Sequence, residues 1–281
     1  MLEEIKNNVA MALAEDIGTG DLTAQLIPER QMLTANVVSR EAAVLCGTDW
    51  FELCFQTVSP DVQIRWFARD GDEIVIGQKI CEITGQARAL LTAERSALNF
   101  LQFLSSVATV TRRYVKAVAG TKADIVDTRK TLPGLRIAQK YAVKCGGGVN
   151  HRIGLYDGIL IKENHIAAAG GIKTVLKQAL KIAPEVVFIQ IEVESITQLQ
   201  EALDAGATMI LLDNFTVILL EDAVAISRNH SQKSGKNILL EASGNISLDN
   251  VRRIAETGVD RISIGSLTKN IQAVDLSMRF V

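Results

Sequence analysis

The sequence predicts an α/β protein whose C-terminal part is built from repeated strand–helix units. From residue 122 onward, six short apolar runs recur, and helix-like stretches lie between them. Strands that alternate with helices in this way form βα units around a parallel sheet. The segments 205–210 and 257–262 also share a helix end, a glycine and an ensuing strand. About six units favour an incomplete α/β barrel over a full eight-stranded one, and a doubly wound open sheet is the alternative.

The predicted elements of this part alternate in type. The strands are expected at 124–127, 158–161, 187–193, 209–212, 238–241 and 261–264. The helices are expected at 135–144, 172–182, 197–205, 217–228 and 248–256. Ser195 and Gln198 form a capping box that predicts where the third of these helices begins.

The first hundred residues predict a separate unit. Ile5, Val9 and Leu13 are spaced by four, which indicates an amphipathic helix. The elements that follow are a strand, a helix and a strand, at 33–38, 50–55 and 62–67. Residues 70–80 predict two short strands joined by a turn, as in lipoyl and biotinyl carrier modules. The lysine-centred tip of those modules is absent, so we interpret the segment as a small β structure.

Residues 92–107 predict the clearest helix of this half. Thr92 is its expected N-cap, and a broad apolar face follows. Arg95 would then lie in the first turn, where the helix dipole disfavours a cation. The arginine therefore needs either a structural partner or an anionic ligand, and the sequence leaves both open.

Composition and charge exclude several classes of protein. The 281 residues exceed one typical domain and fit two domains or one large barrel. A net charge of −2 argues against a surface devoted to nucleic acid. Charged residues interrupt every apolar run before the roughly 20 residues that a membrane span needs. We therefore expect neither a nucleic-acid partner nor membrane attachment.

The N-terminus and the cysteines indicate the compartment. Residues 1–8 lack the basic and apolar regions of a secretory signal. The four cysteines, Cys46, Cys54, Cys81 and Cys145, show no CxxC spacing, which gives no support to a zinc knuckle or a redox motif. We expect reduced, mostly packed thiols in a cytoplasmic protein.

The segment 146–165, GGGVNHRIGLYDGILIKENH, indicates an anion-binding pocket. Lys162 directly follows the predicted buried strand 158–161, and Arg152 precedes that strand. Cations at the end of a buried strand suit an anionic ligand. The alternative is a solvated lysine beside a glycine-rich loop that binds nothing.

Further polar residues follow the other predicted strands, where parallel α/β folds bind their ligands. They are Thr128, Arg129, Lys130, Thr131, Glu192, Asp213, Asn214, Glu241, Ser243, Gly244, Asn245, Gly265 and Ser266. Arginine binds planar carboxylates, and lysine binds phosphate as a point charge. Backbone N–H groups at 243–245 and 265–266 can hold a phosphate, while Glu192 and Asp213 suit Mg²⁺. The combination predicts substrates that carry phosphates and carboxylates.

Several motifs together resemble the quinolinate phosphoribosyltransferase family. They are, in chain order, AEDIGTGDLT, AERSALNFLQ, TRKT, GGGVNHRIGLYDGILIKENHI, IEVES, LLDNF, EASGNI and ISIGSLTK. The resemblance covers nearly the whole chain, and the long glycine-rich string is its most specific part. It implies an open-faced α/β sandwich at 1–106, an incomplete α/β barrel at 107–269, and a tail, 270–281, that returns to the first domain.

The resemblance also implies a reaction. Quinolinate and phosphoribosyl pyrophosphate would give nicotinate mononucleotide, pyrophosphate and CO₂ in de novo NAD biosynthesis, with Mg²⁺ as cofactor. The residues implied to hold quinolinate are Arg95, Arg129, Asn150, His151, Arg152 and Lys162. Those implied to hold phosphoribosyl pyrophosphate are Thr128, Lys130, Glu192, Asp213, Ser243, Gly244, Asn245, Ser263, Ile264, Gly265 and Lys269. Catalysis would rest on Lys130, Lys162, Glu192 and Asp213, and the last two would meet Mg²⁺, partly through substrate and water.

The family further implies a homodimer in which Arg95 completes the neighbouring site, with higher assembly left open. Lys269 stands where many members have histidine, which retains a cation but puts a histidine-specific role in doubt. His165 is expected to be structural. The alternatives are a paralogue linked to molybdenum uptake, a related nicotinate-using phosphoribosyltransferase, a Schiff-base aldolase using Lys162, and a non-catalytic anion-binding barrel. Arg95, Arg129 and Arg152 together favour a dicarboxylate substrate.

Overall fold

The computed structural model describes residues 1–184 and 187–281, and it divides them into two compact units. Unit 1 combines Met1–Arg112, Thr131–Gly147 and Leu267–Val281. Unit 2 consists of Arg113–Lys130 and Gly148–Ser266. The predicted domains, 1–106 and 107–269, follow chain order and therefore have different bounds. The difference arises because 131–147 pack within unit 1 although the chain on either side of them belongs to unit 2.

Unit 1 contains an antiparallel sheet with helices packed against it. Its helices are α1 (Leu2–Ile17), α2 (Thr48–Val58), the first part of α3 (Ala87–Ala117) and α4 (Arg136–Cys145). Its strands are β1 (Met32–Ser39), β2 (Ala43–Val44), β3 (Gln63–Trp66), β4 (Glu73–Ile74), β5 (Lys79–Gln86) and β12 (Leu276–Phe280).

The main sheet of unit 1 has the order β12-β1-β5-β3. In β1 the side chains of Ala35, Val37 and Ser39 are buried while their neighbours are only partly covered. This alternation shows that one face of the sheet carries the core and the other faces outward. Trp50 and Phe51 of α2 are fully buried against the covered face. The predicted open-faced sandwich is confirmed.

Two sequence-based expectations for unit 1 are wrong. The helix α3 begins at Ala87 and not at Thr92, because no glycine or proline separates it from β5. Thr92 therefore caps nothing, and its hydroxyl hydrogen-bonds Asp21 Oδ2 at 2.8 Å. Arg95 lies in the third turn and is exposed, so the dipole argument about its position does not apply. The two short strands of 70–80 do not pair with each other: β4 pairs with β2, whereas β5 pairs with β1 and β3.

Unit 2 alternates strands and helices. Its strands are β6 (Asp124–Val126), β7 (Gly158–Ile161), β8 (Phe188–Val193), β9 (Met209–Asp213), β10 (Leu239–Ser243) and β11 (Arg261–Ser263). The helices between them are α5 (Glu163–Ala169), α6 (Ile172–Ile182), α7 (Ile196–Asp204), α8 (Val217–Ser234) and α9 (Val251–Glu256). A short helix, α10 (Ser266–Lys269), leads out of the unit.

The sheet of unit 2 is an incomplete barrel. All of its pairings are parallel, and its order is β6-β11-β10-β9-β8-β7. The first strand of the unit, β6, pairs with the last, β11, so the sheet curves around on itself. Its two edge strands are β6 and β7, and the gap between them is the seam of the barrel. The backbone of Val149 occupies part of this seam, where it exchanges hydrogen bonds with Ile125 and Asp127. The predicted barrel is confirmed, and the doubly wound alternative is excluded because the strand order does not reverse.

Helix α7 begins where the sequence predicts it, and one half of the predicted capping box is formed. Ser195 Oγ accepts a hydrogen bond from the Gln198 amide at 3.2 Å, and α7 begins at Ile196. The other half of the predicted capping box is displaced, because Gln198 Oε1 accepts from the amide of Glu194. Among the described residues, no helix has the length and apolar character of a membrane span.

Candidate active site

A cavity of about 320 Å³ opens where the strands of unit 2 end. Its walls hold four cations, three carboxylates, three hydroxyl groups, one histidine and two leucines. The lining residues are Asp127, Thr128, Arg129, Lys130, His151, Arg152, Leu160, Lys162, Glu192, Leu211, Glu241, Ser243 and Ser263. Two cavities of about 410 and 390 Å³ elsewhere in the described structure have no lysine or arginine in their walls. Charge, and not volume, identifies the candidate site.

An ion pair joins two neighbouring strands at the cavity. Lys162 directly follows β7, and Glu192 lies near the end of β8, which pairs with β7 in parallel. The Lys162 Nζ and Glu192 Oε2 atoms are 3.1 Å apart, with the lysine half exposed and the glutamate mostly covered. An ammonium held by a carboxylate is a fixed charge and not a nucleophile, so this geometry disfavours a Schiff-base role.

Two guanidinium groups share one side of the cavity. Arg152 Nη1 donates a hydrogen bond to the carbonyl of Gly158 at 2.9 Å, which fixes its position at the start of β7. Burial and the neighbouring charge of Arg129 lower the pKa of Arg152, while Asp157 acts in the opposite direction. Two like charges that repel each other at a partly covered site are stabilised by an anion that binds both.

His151 lies in the wall of the same cavity and is held by four contacts. Its Nδ1 accepts a hydrogen bond from the amide of Arg152 at 2.8 Å. Its Nε2 lies 2.7 Å from Gln190 Oε1, and its own amide donates to Asp127 Oδ1 at 2.8 Å. The ring also meets the edge of Phe188, with 5.3 Å between ring centroids. Since Nδ1 accepts, the hydrogen-bond pattern assigns the ring proton to Nε2, which donates to Gln190.

The buried network continues below His151 to two charged residues. Gln190 Nε2 donates to Glu241 Oε2 at 3.2 Å, and Arg261 Nε lies 3.4 Å from the same oxygen. Gln190 and Glu241 are almost completely buried. A cation and an amide donor beside a buried carboxylate offset part of the desolvation cost of its charge. The network therefore gives the floor of the cavity a fixed arrangement.

Two turns beside the cavity are locked together. Asp213 is the last residue of β9 and Asn214 begins the turn after it, while the turn after β10 carries Gly244 and Asn245. Asn214 donates through its amide N to the Ser243 carbonyl at 2.9 Å, and through its side chain to Asp213 Oδ2 at 2.7 Å. Gly244 has φ of +100°, and a Cβ there would lie 2.2 Å from Asn214 Oδ1. Only glycine fits this position.

Comparison with known proteins identifies the family. Residues 21–105 match the family described as quinolinate phosphoribosyl transferase, N-terminal domain, and residues 107–279 match its C-terminal domain. The chain belongs to the quinolinate phosphoribosyltransferase family. Members of this family are phosphoribosyl-transferring enzymes, and the resemblance seen in the motifs is confirmed.

Two curated relatives match this chain over nearly its full length. A probable nicotinate-nucleotide pyrophosphorylase [carboxylating] of Bacillus subtilis is 44% identical and covers 94% of this chain and 89% of the relative. The nicotinate-nucleotide pyrophosphorylase [carboxylating] of Mycobacterium leprae is 42% identical and covers 97% and 96%. The solved nicotinate-nucleotide pyrophosphorylase from Francisella tularensis is 44% identical with a TM-score of 0.94, over 99% of this chain and 96% of that one.

Part of the residue set that the family resemblance implies lies around one cavity in the structure. The residues that line it are Thr128, Arg129, Lys130, His151, Arg152, Lys162, Glu192, Ser243 and Ser263. Asp213 ends the adjoining strand β9, and Gly244 and Asn245 lie in the turn after β10. Gly265 lies close to the side chain of Lys130: a Cβ added at this glycine would lie 3.2 Å from the lysine Cδ.

Other residues of that set lie outside the cavity walls. The side chain of Ile264 is buried, and its amide donates to the Val126 carbonyl at 2.9 Å within the sheet. Arg95 and Lys269 are exposed residues of unit 1, and Asn150 does not line the cavity. His165 Nδ1 accepts from the amide of Lys162 at 3.0 Å, which gives it the expected structural role at the start of α5.

Sequence reasoning assigned no role to Asp127 or Gln190 and named Glu241 only as one of the polar residues at strand ends, whereas the structure shows that the three hold His151 in place. The available signal was a polar residue inside an apolar strand. Gln190 stands in the middle of FIQIEV, where an isolated amide in a buried strand needs a partner. The sequence does not show which partner that is.

Proposed function

We propose that this chain transfers the phosphoribosyl group of phosphoribosyl pyrophosphate to quinolinate with loss of CO₂. The products are nicotinate mononucleotide and pyrophosphate, and the step belongs to de novo NAD biosynthesis. The carrying observation is the cluster of Arg129, Lys130, Arg152 and Lys162 around one cavity at the strand ends. Two adjacent carboxylates on a pyridine ring suit the paired guanidinium groups, and the lysines suit phosphates. The names of the relatives support the same reaction.

The chemistry needs charge placement and no protein nucleophile. The pyridine nitrogen attacks the ribose carbon while the bond to pyrophosphate breaks, through an oxocarbenium-like state. The carboxylate of Glu192 favours the positive charge that develops on the ribose, and Lys130 neutralises the leaving group. The carbon–carboxylate bond then breaks, and its electron pair is stabilised by the cationic ring before a proton takes the place of CO₂.

We propose Mg²⁺ as the cofactor, held by Glu192 and Asp213 together with substrate oxygens. The strands that carry these residues, β8 and β9, are neighbours in the sheet. Oxygen donors of this kind suit a hard cation that keeps several waters and binds one or two carboxylates plus phosphates. Bound with the substrate, Mg²⁺ supplies charge for the departing pyrophosphate.

The active form that we propose is a homodimer in which Arg95 reaches the site of the partner subunit. Arg95 is exposed on α3 and does not line the cavity of about 320 Å³, which supports this assignment. We also propose a cytoplasmic location, which the four free cysteines suit.

The reaction is tested by measuring CO₂ released from carboxyl-labelled quinolinate. We expect release only when phosphoribosyl pyrophosphate and Mg²⁺ are both present. Arg129→Ala and Arg152→Ala should each raise KM for quinolinate by about 10- to 100-fold, because each removes a charged hydrogen bond to a carboxylate. The matched control is Arg113→Ala, an exposed arginine of the same unit that does not line the cavity.

The second arm replaces quinolinate with nicotinate, which lacks one carboxylate. Equal turnover of nicotinate would contradict the dicarboxylate assignment. Full activity after removal of divalent metal with a chelator would contradict the role of Mg²⁺.

A further inference from the structure

Two cysteines that the reaction does not use face each other in unit 1. Cys46 lies in the loop between β2 and α2 and is completely buried. Cys145 is the last residue of α4 and is partly exposed. The two Sγ atoms and a carboxylate oxygen of Asp70 all lie within 4.8 Å of one another. Cys54 and Cys81 are buried elsewhere in the unit and belong to no such group.

The surroundings hold this group together. The carboxylate of Asp70 accepts hydrogen bonds from the amides of Gly47 and Thr48 at 3.1 and 3.2 Å. It also accepts from the hydroxyl of Tyr141 at 2.9 Å, and burial and the Asp70 charge raise the pKa of that hydroxyl, so it stays a donor. Arg112 Nη2 donates to the carbonyl of Cys145 at 3.0 Å.

This environment favours sulfur chemistry over metal binding. The oxygens of Asp70 already accept three donors, and the Arg112 guanidinium places a positive charge beside Cys145. A divalent cation would have to displace those donors and approach the arginine. A thiolate at Cys145 is stabilised by the same arginine.

The two thiols differ in reactivity. The hydrogen bond from Cys46 and the charge of Arg112 lower the pKa of Cys145, while burial and the charge of Asp70 act in the opposite direction. Burial raises the pKa of Cys46 well above its usual range. Cys145 is therefore the thiolate that an oxidant meets, and Cys46 is the buried thiol within reach of it.

We propose that Cys46 and Cys145 are a reversible dithiol–disulfide pair, a modification site separate from the active site. The thiolate of Cys145 attacks one sulfur of a small-molecule disulfide such as oxidised glutathione, which forms a mixed disulfide and expels one thiolate. The sulfur of Cys46 then attacks the Cys145 sulfur and expels the second small thiol, which takes the Cys46 proton. The protein loses two electrons, and the small disulfide is reduced to two thiols.

The bond would fix the start of the glycine-rich segment. Gly146 follows Cys145 directly and packs tightly on α3, since a Cβ there would lie 2.6 Å from the carbonyl of Ala108. The same segment continues through Val149, which pairs with β6, to His151. Oxidation thus links the β2–α2 loop to the chain that leads into the candidate site.

The test counts free thiols in the full-length protein. The protein is incubated with oxidised glutathione, denatured, alkylated with N-ethylmaleimide and weighed by mass spectrometry. Four alkylated thiols in the reduced protein should fall to two, with a peptide that links Cys46 to Cys145, and dithiothreitol should restore four. Cys54→Ala and Cys81→Ala should keep the linked peptide.

Three outcomes would overturn the proposal. In the first, all four thiols of the wild-type protein stay alkylated after glutathione treatment. In the second, the linked peptide joins another pair. In the third, the purified protein carries one equivalent of zinc that protects Cys46 and Cys145 from alkylation until a chelator is added. Cys46→Ser supplies a further check, since it should trap glutathione on Cys145 as a stable mixed disulfide. The thiol count on the wild-type protein does not depend on whether any of the variants folds.

Discussion

At the scale of single residues, His151 is fixed in one tautomer by its neighbours. The amide of Arg152 occupies Nδ1, and the side chain of Gln190 accepts from Nε2. The amide group of Gln190 can do this only because its NH₂ end points to Glu241. The orientation of one glutamine therefore depends on a charge that lies deeper in the barrel.

Gln190→Glu should change the protonation of His151. The new carboxylate would face both the imidazole and Glu241, and a nearby negative charge favours the imidazolium form. We expect the titration midpoint of His151 to move to higher pH, measured by NMR of the imidazole nitrogens. The imidazole signals of His165 and His230 serve as internal controls and should not change, since the side-chain partners of Gln190 are His151 and Glu241. An unchanged midpoint for His151 would show that Gln190 does not control its charge.

At the scale of elements, one arginine on helix α8 contacts the chain segments that lead into two strands. Arg228 donates to the carbonyls of Ile238 and Gly258 at 3.0 and 3.2 Å and to the carboxylate of Asp260 at 2.6 Å. Asp260 Oδ2 in turn accepts from the amide of Leu240 at 2.8 Å. The group joins the chain before β10 to the chain before β11.

Arg228→Ala should destabilise the protein by about 1.5–3 kcal/mol, because hydrogen bonds to charged groups contribute that much and the pair is only partly exposed. Equilibrium urea unfolding measures the change. Arg69→Ala removes an exposed ion pair with Asp72 and should cost less than about 1 kcal/mol. Equal effects of the two substitutions would mean that the bonds of Arg228 add nothing beyond those of a surface pair.

Elements whose signals are local could be predicted from the sequence. The strand 158–161 and the helix 172–182 have their predicted bounds, because Asp157 and Lys162 flank the strand, while Gly171 precedes the helix and Pro184 follows it. The start of α3 could not be predicted, since β5 runs into it without a turn residue. Strand β12 is short, and its partner β1 lies at the other end of the chain, so no local pattern predicts it.

The same limit applies to the sites. Lys162 and Glu192 could be predicted to meet because parallel strands end at one edge of a sheet. Cys46 and Cys145 could not, since their approach depends on how a loop and a helix end pack within unit 1. Arg95 could be assigned a role only by resemblance.

At the scale of the whole molecule, the proposed dimer predicts complementation between two damaged subunits. Arg95→Ala and Arg129→Ala should each be nearly inactive alone when the quinolinate concentration is kept far below the raised KM. A heterodimer of the two should recover part of the activity, because one of its sites would combine an intact Arg129 with an intact Arg95 from the partner. The measurement is CO₂ release after the variants are mixed and subunit exchange is verified with two different tags. Verified heterodimers without recovery would indicate that Arg95 acts within its own subunit.

The pairing of β12 with β1 has a consequence for synthesis on the ribosome. Unit 2 is made of residues 113–130 and 148–266, so all of its strands have been translated before the last segment of unit 1 appears. The edge of β1 that finally receives Leu276–Phe280 stays unpaired throughout that time. Such an edge can pair with other chains, and contacts between distant parts of a sequence form slowly. We therefore expect the exposed edge of β1 to favour aggregation during translation, until β12 pairs with it.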